Sequence, residues 1–369
     1  MTPSARAGTP LQQGQARPTT QAQPAGAALP TGERLLTAGG FAVRLHLRTA
    51  WVTAALAVVV VILVAASLVV GEFTIPVPDA VATLLGDAPD RTTDFFIHER
   101  RLPRALVALA VGAALATSGA LFCALTRNPL ASPDIIGITQ GASAGGATVI
   151  LVLGGGMAQV ATGALVGAAL TAGFILALTW WRGLSGARLV LLGVALGALA
   201  MAYVAHLLSR GFVASAVTAQ IWLTGSLQGR GWSELWPLAW VLLVASVVIA
   251  SRFRAMRALT LGDDVAVALG VRLRSTRLVL LAAATVLAGA AVATAGPISF
   301  VALVAPHLSR LLTRSDRVLP AALLGGVLLL ASDLVAQHAF ALPLPVGVVT
   351  VVLGGLFFLG LLWREGRRG

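Results

Sequence analysis

Residues that could take part in chemistry are few, because charged residues make up only 11% of the 369 positions. Asp333 is the only acid well inside an apolar segment, and His307 follows Pro306 inside another. A charged group at the centre of a membrane helix costs about 2.5–3.5 kcal/mol on insertion scales, so each such residue is informative. Asp333 could pair with a neighbouring helix or serve a function, and for His307 we favour an interhelical hydrogen bond.

Catalytic and metal-binding patterns are missing from the sequence. It has no HExxH zinc motif and no GxxxxGK[ST] phosphate loop. Cys123 is the only cysteine, which excludes a disulfide within the chain and a CxxC metal site. We therefore expect no catalytic residue, no metal site and no bound cofactor.

Three arginines form a cluster at the start of an apolar segment. Arg100, Arg101 and Arg104 surround Pro103, which suits the first turn of a helix. Positive charges are unfavourable at a helix N-terminus, because the helix dipole is positive there. A docking site for acidic groups would explain them, and so would anchoring at a membrane interface by long side chains.

A compact turn is predicted over residues 126–134. Ser132 can cap the next helix, Pro133 can occupy its first position, and Asp134 would lie in its positive first turn. These features favour a rigid structural turn, in which Asn128 and Pro129 would be structural residues or would line a pathway.

A short amphipathic helix is predicted in the long polar stretch over residues 252–277. Its apolar residues recur with helical spacing, at Leu261, Val265, Ala268 and Leu269. Asp263 and Asp264 would lie at its N-terminus and Gly270 would end it as a C-cap. Such a helix either lies in a membrane interface or docks on a soluble partner.

The composition indicates what kind of secondary structure and what class of protein contain these residues. Hydrophobic residues make up 57% of the chain and its mean hydropathy is +0.90, which excludes an ordinary soluble protein. We predict an all-α, multi-pass membrane protein with a disordered tail over residues 1–49, a membrane domain over 50–363 and a short C-terminus over 364–369. The ten predicted spans cover residues 50–70, 103–125, 134–154, 158–180, 189–209, 234–250, 278–295, 298–312, 318–338 and 345–363.

Arginines account for all 26 basic residues, and they are distributed unevenly between the two sides. With ten spans, 19 arginines lie on the side of the termini, 6 lie on the other side, and Arg310 falls inside a span end. Because basic residues are enriched in cytoplasmic loops, we expect both termini in the cytoplasm of a cell-membrane protein. The same distribution makes nucleic-acid binding an unsuitable explanation of the net charge of +12.

The motifs occur in an order that resembles the FecCD family of ABC-importer permeases, over residues of about 50 to 363. The matching stretches are 101–104 (RLPR), 112–120 (GAALATSGA), 127–137 (RNPLASPDIIG), 261–264 (LGDD) with 269–270 (LG), 296–301 (GPISFV) with 306–307 (PH), and 345–350 (PVGVVT) with 354–355 (GG). Members of the family take up ferric siderophores, haem and vitamin B12.

The resemblance implies the type II importer architecture, with ten spans in each of two permease subunits. It also implies two cytoplasmic ATPase subunits, which bind the ATP, and an external substrate-binding protein. This chain would then be a transport subunit and not an enzyme.

The resemblance also implies roles for individual residues. Arg101 and Arg104 match arginines that receive acids of the binding protein. The cytoplasmic gate of the family corresponds to Ser185, Gly186 and Ala187 of this chain. The segment that couples to the ATPase matches Leu261, Gly262, Asp263, Asp264, Ala266, Leu269 and Gly270, with Asp264 where the family pattern has Glu and Val265 where it has Ala.

Residues 126–137 and 221–232 are similar to permeases for ferric siderophores of the enterobactin type, which usually work as heterodimers. Gln337 stands where vitamin B12 permeases carry an arginine, which weakens a vitamin B12 assignment. The alternatives are a permease for haem or vitamin B12, a secondary transporter without an ATPase, and a membrane-embedded enzyme, which the missing catalytic sets disfavour.

Overall fold

The computed structural model describes residues 33–38, 41–71, 73–179 and 186–366. These parts form a two-stranded hairpin and fifteen α-helices, some of which continue as π-helical turns. The elements are β1 (Glu33–Ala38), β2 (Phe41–His46), α1 (Leu47–Val69), α2 (Val77–Leu84), α3 (Arg91–Phe95, continuing as a π-helix over Phe96–Arg101), α4 (Leu102–Thr126), α5 (Ile138–Thr148, continuing over Val149–Leu153), α6 (Met157–Thr179), α7 (Gly186–Arg210), α8 (Val213–Leu223), α9 (Trp232–Ser251), α10 (Phe253–Thr260), α11 (Asp263–Ala268), α12 (Leu273–Ala295), α13 (Val301–Thr313), α14 (Val318–His338) and α15 (Val346–Gly366).

The hairpin lies within the predicted disordered tail. Strands β1 and β2 pair antiparallel, with Glu33 opposite His46 and Ala38 opposite Phe41. The disorder predicted for residues 1–49 stays a prediction. Gly39-Gly40 separates the strands in the sequence, and a two-residue Gly-Gly link between apolar runs is a hairpin signal that the sequence analysis did not use. Residues 1–32 of the predicted tail lie outside the described part of the chain.

Each of the ten predicted spans coincides with a helix. Within the described residues, seven helices are long and apolar enough to cross a membrane, and four apolar helices are shorter. The third span begins at Ile138 and not at 134, because residues 132–137 form the turn before it. The seventh and eighth spans are separate helices, because Gly296 ends α12 with φ = 73°. The short helices α2, α3, α8 and α10 were not predicted.

Helices α4 and α12 form the centre of the membrane domain. Both are mostly buried: α4 packs against α12, α13 and α14, and α12 packs against α6 and α9 as well. A Cβ on Gly112 would collide with the backbone of Gly325 in α14, so the two helices approach closely. Small residues allow such contacts in lipid, where there is little hydrophobic force between helices.

Helices α1, α7 and α9 differ from this centre because they expose most of their length. One side of α7 packs against α5 and the turn before it, where Gly193 lies against Ile136. Leu191, Val194 and Leu199 are exposed. These apolar surfaces are available to lipid or to another subunit.

Candidate functional sites at the two ends of helix α4

The residues singled out in the sequence gather mainly at the two ends of α4. Arg101 and Arg104 lie at its start, and Arg127 directly follows its end. At about 1.5 Å rise per residue, a helix of this length extends roughly 37 Å, about the thickness of a membrane. The two sites described next are therefore on opposite sides of the membrane domain.

A cavity of about 620 Å³ lies at the start of α4, and we call it the arginine cavity. Its walls come from the end of α1, the start of α4, the loop before α9 and the end of α14. Its charged and amide-bearing lining residues are Glu99, Arg100, Arg101, Arg104, Gln228, Arg230, Asp333 and Gln337, with His338 beside them.

Arg104 and Asp333 form a bidentate ion pair in the arginine cavity. Arg104 Nε and Nη2 each donate to one Asp333 carboxylate oxygen at 2.9 Å. Gln337 Nε2 donates to the same carboxylate at 2.7 Å, and Asp333 is only 2% exposed. Of the two alternatives given for Asp333, pairing with a neighbouring helix is therefore the one observed. Asp333 and the arginine cluster at the start of α4 belong to one site.

Arg101 connects the end of α1 to the start of α4. Its Nη1 donates to the Leu68 carbonyl at 2.5 Å and to the Val69 carbonyl at 3.3 Å, and its Nη2 donates to the carbonyl of Phe73. The guanidinium also lies 5.9 Å from the centre of the Phe96 ring. Arg101 and Arg104 thus both bind groups of their own chain, and these contacts give no support to the predicted docking role.

Arg230 is a cavity residue that the sequence analysis missed. It lies in the loop between α8 and α9, and its Nε is buried without a hydrogen-bond partner in the described residues. Burial lowers the pKa of this guanidinium, and the nearby Glu234 opposes that shift. In the sequence, Arg230 is noticeable only as part of the stretch 221–232 that resembles siderophore permeases. That resemblance does not show whether its side chain is buried.

At the other end of α4, helix α11 ends as predicted. The N–H of Gly270 donates to the Val267 carbonyl at 2.8 Å, and the N–H of Val271 donates to the Ala266 carbonyl at 2.9 Å. Gly270 has φ = 78°, as expected for a C-cap with this pair of hydrogen bonds. The prediction of a short helix capped by Gly270 is confirmed.

The apolar face of this helix points away from the chain. Leu261 is 66% exposed and Leu269 65% exposed, with Val265 and Val267 also exposed, while Ala266 is buried against the domain. Large apolar side chains on a polar loop mark an interaction surface. The exposed face has the character required by the predicted ATPase contact.

Asp263 attaches α11 to two other parts of the domain. Its carboxylate lies 2.8 Å from Arg277 Nη2 at the start of α12 and 3.1 Å from Arg127 Nη2 after α4. Asp264 beside it is exposed. A displacement of α11 would therefore be transmitted to α12 and to the turn between α4 and α5.

That turn is compact, as predicted. Asn128 Oδ1 accepts the Leu130 N–H at 2.9 Å, and the carbonyl of Pro129 faces the Cys123 thiol at 3.5 Å. Ser132 Oγ accepts the Ile135 N–H at 3.3 Å within the turn itself. The predicted capping of the next helix by Ser132 is wrong, because α5 begins only at Ile138, with Gly137 at its N-cap and no side-chain cap. Asn128 and Pro129 thus have structural contacts within the turn.

Asp134 joins the starts of two short helices. It accepts the Thr139 hydroxyl of α5 at 2.7 Å and the Phe300 N–H before α13 at 3.3 Å. The sequence predicted Pro133 and Asp134 in the first turn of the next helix, but both lie in the turn before α5. The contact with Phe300, 166 positions away, could not be inferred from spacing.

Two further predictions concern the gate and His307. Gly186 begins α7 and Ala187 is exposed, whereas Ser185 lies outside the described residues. The His307 ring packs edge-on against Phe357 of α15, with ring centres 5.7 Å apart. His307 is thus in contact with a second helix, and its predicted hydrogen bond stays a prediction.

The sequence profile of the FecCD transport family matches residues 58–364. The chain belongs to the FecCD transport family. This is a family of ABC transporter permease subunits, multi-pass membrane proteins that are not themselves catalytic and that function with ATPase and substrate-binding partners. The family resemblance found from the motifs is confirmed.

Known relatives resemble this FecCD chain over most of its length. The ferric enterobactin transport system permease protein FepG of Escherichia coli K12 is 42% identical over 301 residues, which are 81% of this chain and 91% of that protein. The vitamin B12 import system permease protein BtuC of Escherichia coli is 38% identical over 287 residues, or 76% and 88% of the two chains.

A solved structure described as an inward-facing metal-chelate type ABC transporter has the same fold. Its TM-score is 0.77 at 29% sequence identity, and the match covers 85% of this chain and 99% of that one. The predicted all-α permease architecture is confirmed.

Proposed function

We propose that this chain is the permease subunit of an ATP-driven importer for iron–siderophore complexes of the enterobactin type. The observation that carries the proposal is the 42% identity over 301 residues to the ferric enterobactin permease FepG. That value is higher, and extends over more residues, than the identity to the vitamin B12 permease BtuC.

The ATP is hydrolysed on separate ATPase subunits, which bind the exposed face of α11. Leu261 and Leu269 would enter a groove on the ATPase, and closure of the ATPase pair would pull on α11. The contacts of Asp263 with Arg277 and Arg127 would pass this movement to α12 and to the α4–α5 turn. Ser185, Gly186 and Ala187 would form the cytoplasmic gate.

A second permease subunit completes the pathway, and we propose a related but different chain. The exposed apolar sides of α7 and α15 support a large contact with such a partner. The siderophore already coordinates the iron, so the proposal requires no metal ligand or cofactor from this chain.

The distribution of arginines supports a cytoplasmic position for both termini. The arginine cavity would then face outward and α11 would face the ATPase. A test uses single cysteines at two exposed positions, Ala214 and Ala268, in a Cys123→Ala background. An impermeant thiol reagent should label Ala214→Cys in intact cells and Ala268→Cys only after permeabilisation, and the reverse pattern would contradict this orientation.

Vitamin B12 or haem is the second candidate substrate. Gln337 stands where vitamin B12 permeases carry an arginine, and its amide is bound to Asp333, which supports the siderophore assignment. A secondary transporter without an ATPase would need no docking surface on α11.

The substrate is tested by uptake in cells that lack this gene. They should lose uptake of radioactive iron from ferric enterobactin, keep uptake of radioactive cyanocobalamin, and regain iron uptake when the gene is returned. Loss of cyanocobalamin uptake with intact ferric enterobactin uptake would instead assign vitamin B12.

A further inference from the structure

We propose that a groove between α9 and α12 binds one anionic phospholipid, with an acyl chain in the groove and the phosphate beside Arg252 and Arg272. The site lies outside the arginine cavity and does not use the exposed leucines of α11. It therefore adds a ligand to the proposed function and does not depend on which substrate is transported.

The groove, which we call the valine groove, has apolar walls and a volume of about 470 Å³. Val241, Val244 and Val248 of α9 form one wall, and Val279 and Val286 of α12 form the other. All of its lining residues are valine, alanine or tryptophan, so its walls offer almost no hydrogen-bond partners. A hydrocarbon chain suits such walls, because it has no polar group that burial would leave without a partner.

The valine groove opens toward the lipid. Helix α9 exposes most of its length, and Val244 is 59% exposed. Helix α12 is mostly buried, but it reaches the surface in this groove through Ala282 and Val286. An acyl chain can therefore enter from the bilayer without separation of the two helices.

The length of the groove matches one leaflet of a bilayer. Trp240 lines its far end, and Arg252 directly follows α9 at the near end. At about 1.5 Å rise per residue, these two positions are about 18 Å apart. Half of a hydrocarbon core is about 15 Å thick. A phospholipid whose acyl chain fills the groove therefore has its phosphate at about the level of Arg252.

Two arginines lie on the groove side of their helices at this near end. Arg252 follows Val244 and Val248 at intervals of four residues, which places all three on one face. Arg272 precedes Val279 by seven residues, or about two turns. Helix α10 follows Arg252 and packs against both α9 and α12, so the two arginines belong to one end of the groove.

Both guanidinium groups are available to a phosphate. Within the described residues, the side chains of Arg252 and Arg272 form no hydrogen bond and no ion pair. The nearby Asp263 is already bound to other arginines. Arg272 is also the N-cap of α12, where the helix dipole disfavours a positive charge unless an anion offsets it.

A phospholipid headgroup fits this combination of charge and position. Guanidinium groups bind phosphate oxygens with two parallel hydrogen bonds. Basic residues directly beside a membrane helix attract anionic lipids, and basic pockets between helices hold their headgroups. The apolar groove next to the arginines selects a phosphate that carries an acyl chain over a free phosphate.

The test titrates the detergent-purified full chain with phosphatidylglycerol or phosphatidylcholine of equal acyl chains and counts bound lipids by native mass spectrometry. The first phosphatidylglycerol should bind at least about tenfold more tightly, because two arginines face its net negative charge. Arg252→Gln combined with Arg272→Gln should reduce this preference to less than about threefold. Arg314→Gln is the control, since Arg314 is an exposed arginine after α13 that does not border the groove, and it should keep the preference.

A second pair of variants tests the acyl chain. Val244→Trp should fill the groove and weaken binding of the first phosphatidylglycerol by at least about fivefold. Val247→Trp is the matched control, because Val247 is 63% exposed on α9 but does not line the groove. It should bind phosphatidylglycerol like the wild type.

Equal affinity of the wild type for the two lipids would overturn the inference. Equal effects of the arginine variants and their control would do the same, since the arginines would then act only as general membrane charge. If the double arginine variant cannot be purified, the valine pair decides, because equal affinities of Val244→Trp and Val247→Trp also contradict the inference. Displacement of the lipid when a second permease assembles would assign the groove to that subunit and overturn it. Failure of ferric enterobactin uptake would contradict the proposed function but leave these affinities unchanged.

Discussion

The two ends of α4 carry ion pairs of the same chemistry in very different surroundings. Asp333 is 2% exposed and pairs with Arg104 in a bidentate geometry, while Asp263 is 36% exposed and lies between Arg277 and Arg127. The first pair fixes two packed helices, α4 and α14. The second holds a six-residue helix whose leucines point away from the chain.

The difference shows that one domain combines an end held by a buried ion pair with an end held by more exposed ion pairs. Removing one member of a buried pair typically costs about 3–5 kcal/mol, because the other charge is left buried. Exposed pairs are worth only about 0–1 kcal/mol. Breaking the Asp263 contacts of α11 should therefore cost less than breaking the Arg104–Asp333 pair.

The largest expected effect comes from breaking the buried pair. Asp333→Asn should destabilise the folded protein by about 3–5 kcal/mol, because Arg104 keeps its charge without a counter-ion. The measurement is thermal unfolding of the detergent-purified protein together with its abundance in the membrane. Arg104→Gln in the same background should recover part of the loss, and a double variant no more stable than the additive sum would contradict the pairing.

The next effect concerns the exposed face of α11. Leu269→Asp should reduce binding of the ATPase by about 1.5–3 kcal/mol, the value of burying one leucine, without changing the unfolding temperature. Pull-down of the ATPase checks this, with Leu342→Asp as the control, since Leu342 is 78% exposed in the loop before α15. Equal loss of binding in both variants would show that α11 has no special role.

Gly270 is a less suitable position for the same test. Its φ of 78° favours glycine, so a side chain there would strain the backbone as well as alter the surface. A defect of Gly270→Arg could then come from a changed α11 and not from blocked docking.

A smaller effect is expected from Asp263. Asp263→Asn removes the charge that attaches α11 to Arg277 and Arg127, and should cost about 1 kcal/mol because the carboxylate is partly exposed. Coupling should suffer more than stability, seen as ATP hydrolysis that responds less to the loaded binding protein. A stability loss as large as that of Asp333→Asn would remove the distinction between the two ends.

The smallest effect is expected from Arg127→Gln. Arg127 is 46% exposed and Asp263 keeps its second partner, Arg277, so the change in stability should stay below about 1 kcal/mol and shrink with added salt. Thermal unfolding at low and high salt measures it. A salt-independent loss would mean that Arg127 supports the turn by packing and not by charge.

Local features of this fold were predictable from the sequence. Long apolar runs identified the ten helices that coincide with the predicted spans. The spacing of Leu261, Val265 and Leu269 with Gly270 identified α11 and its end. Helix α8 was missed because its apolar stretch is only 11 residues long. These features depend on residues that are close together in the sequence, so the sequence pattern is sufficient to predict them.

Contacts between distant residues were not predictable. Arg104 and Asp333 are 229 positions apart, so their charges could be noticed but not their pairing. The burial of Arg230 depends on how four separate segments close around the arginine cavity. Without that packing, the contacts of Arg101 with the end of α1 and of Arg104 with Asp333 could not be foreseen.

The most direct test of the account is uptake into proteoliposomes that contain this chain, its second permease and the ATPase. With ATP on the side of α11 and the binding protein loaded with radioactive ferric enterobactin on the side of the arginine cavity, iron should accumulate inside. Accumulation should stop when ATP is replaced by a non-hydrolysable analogue. Uptake that needs an ion gradient and no ATP would contradict the account and indicate a secondary transporter.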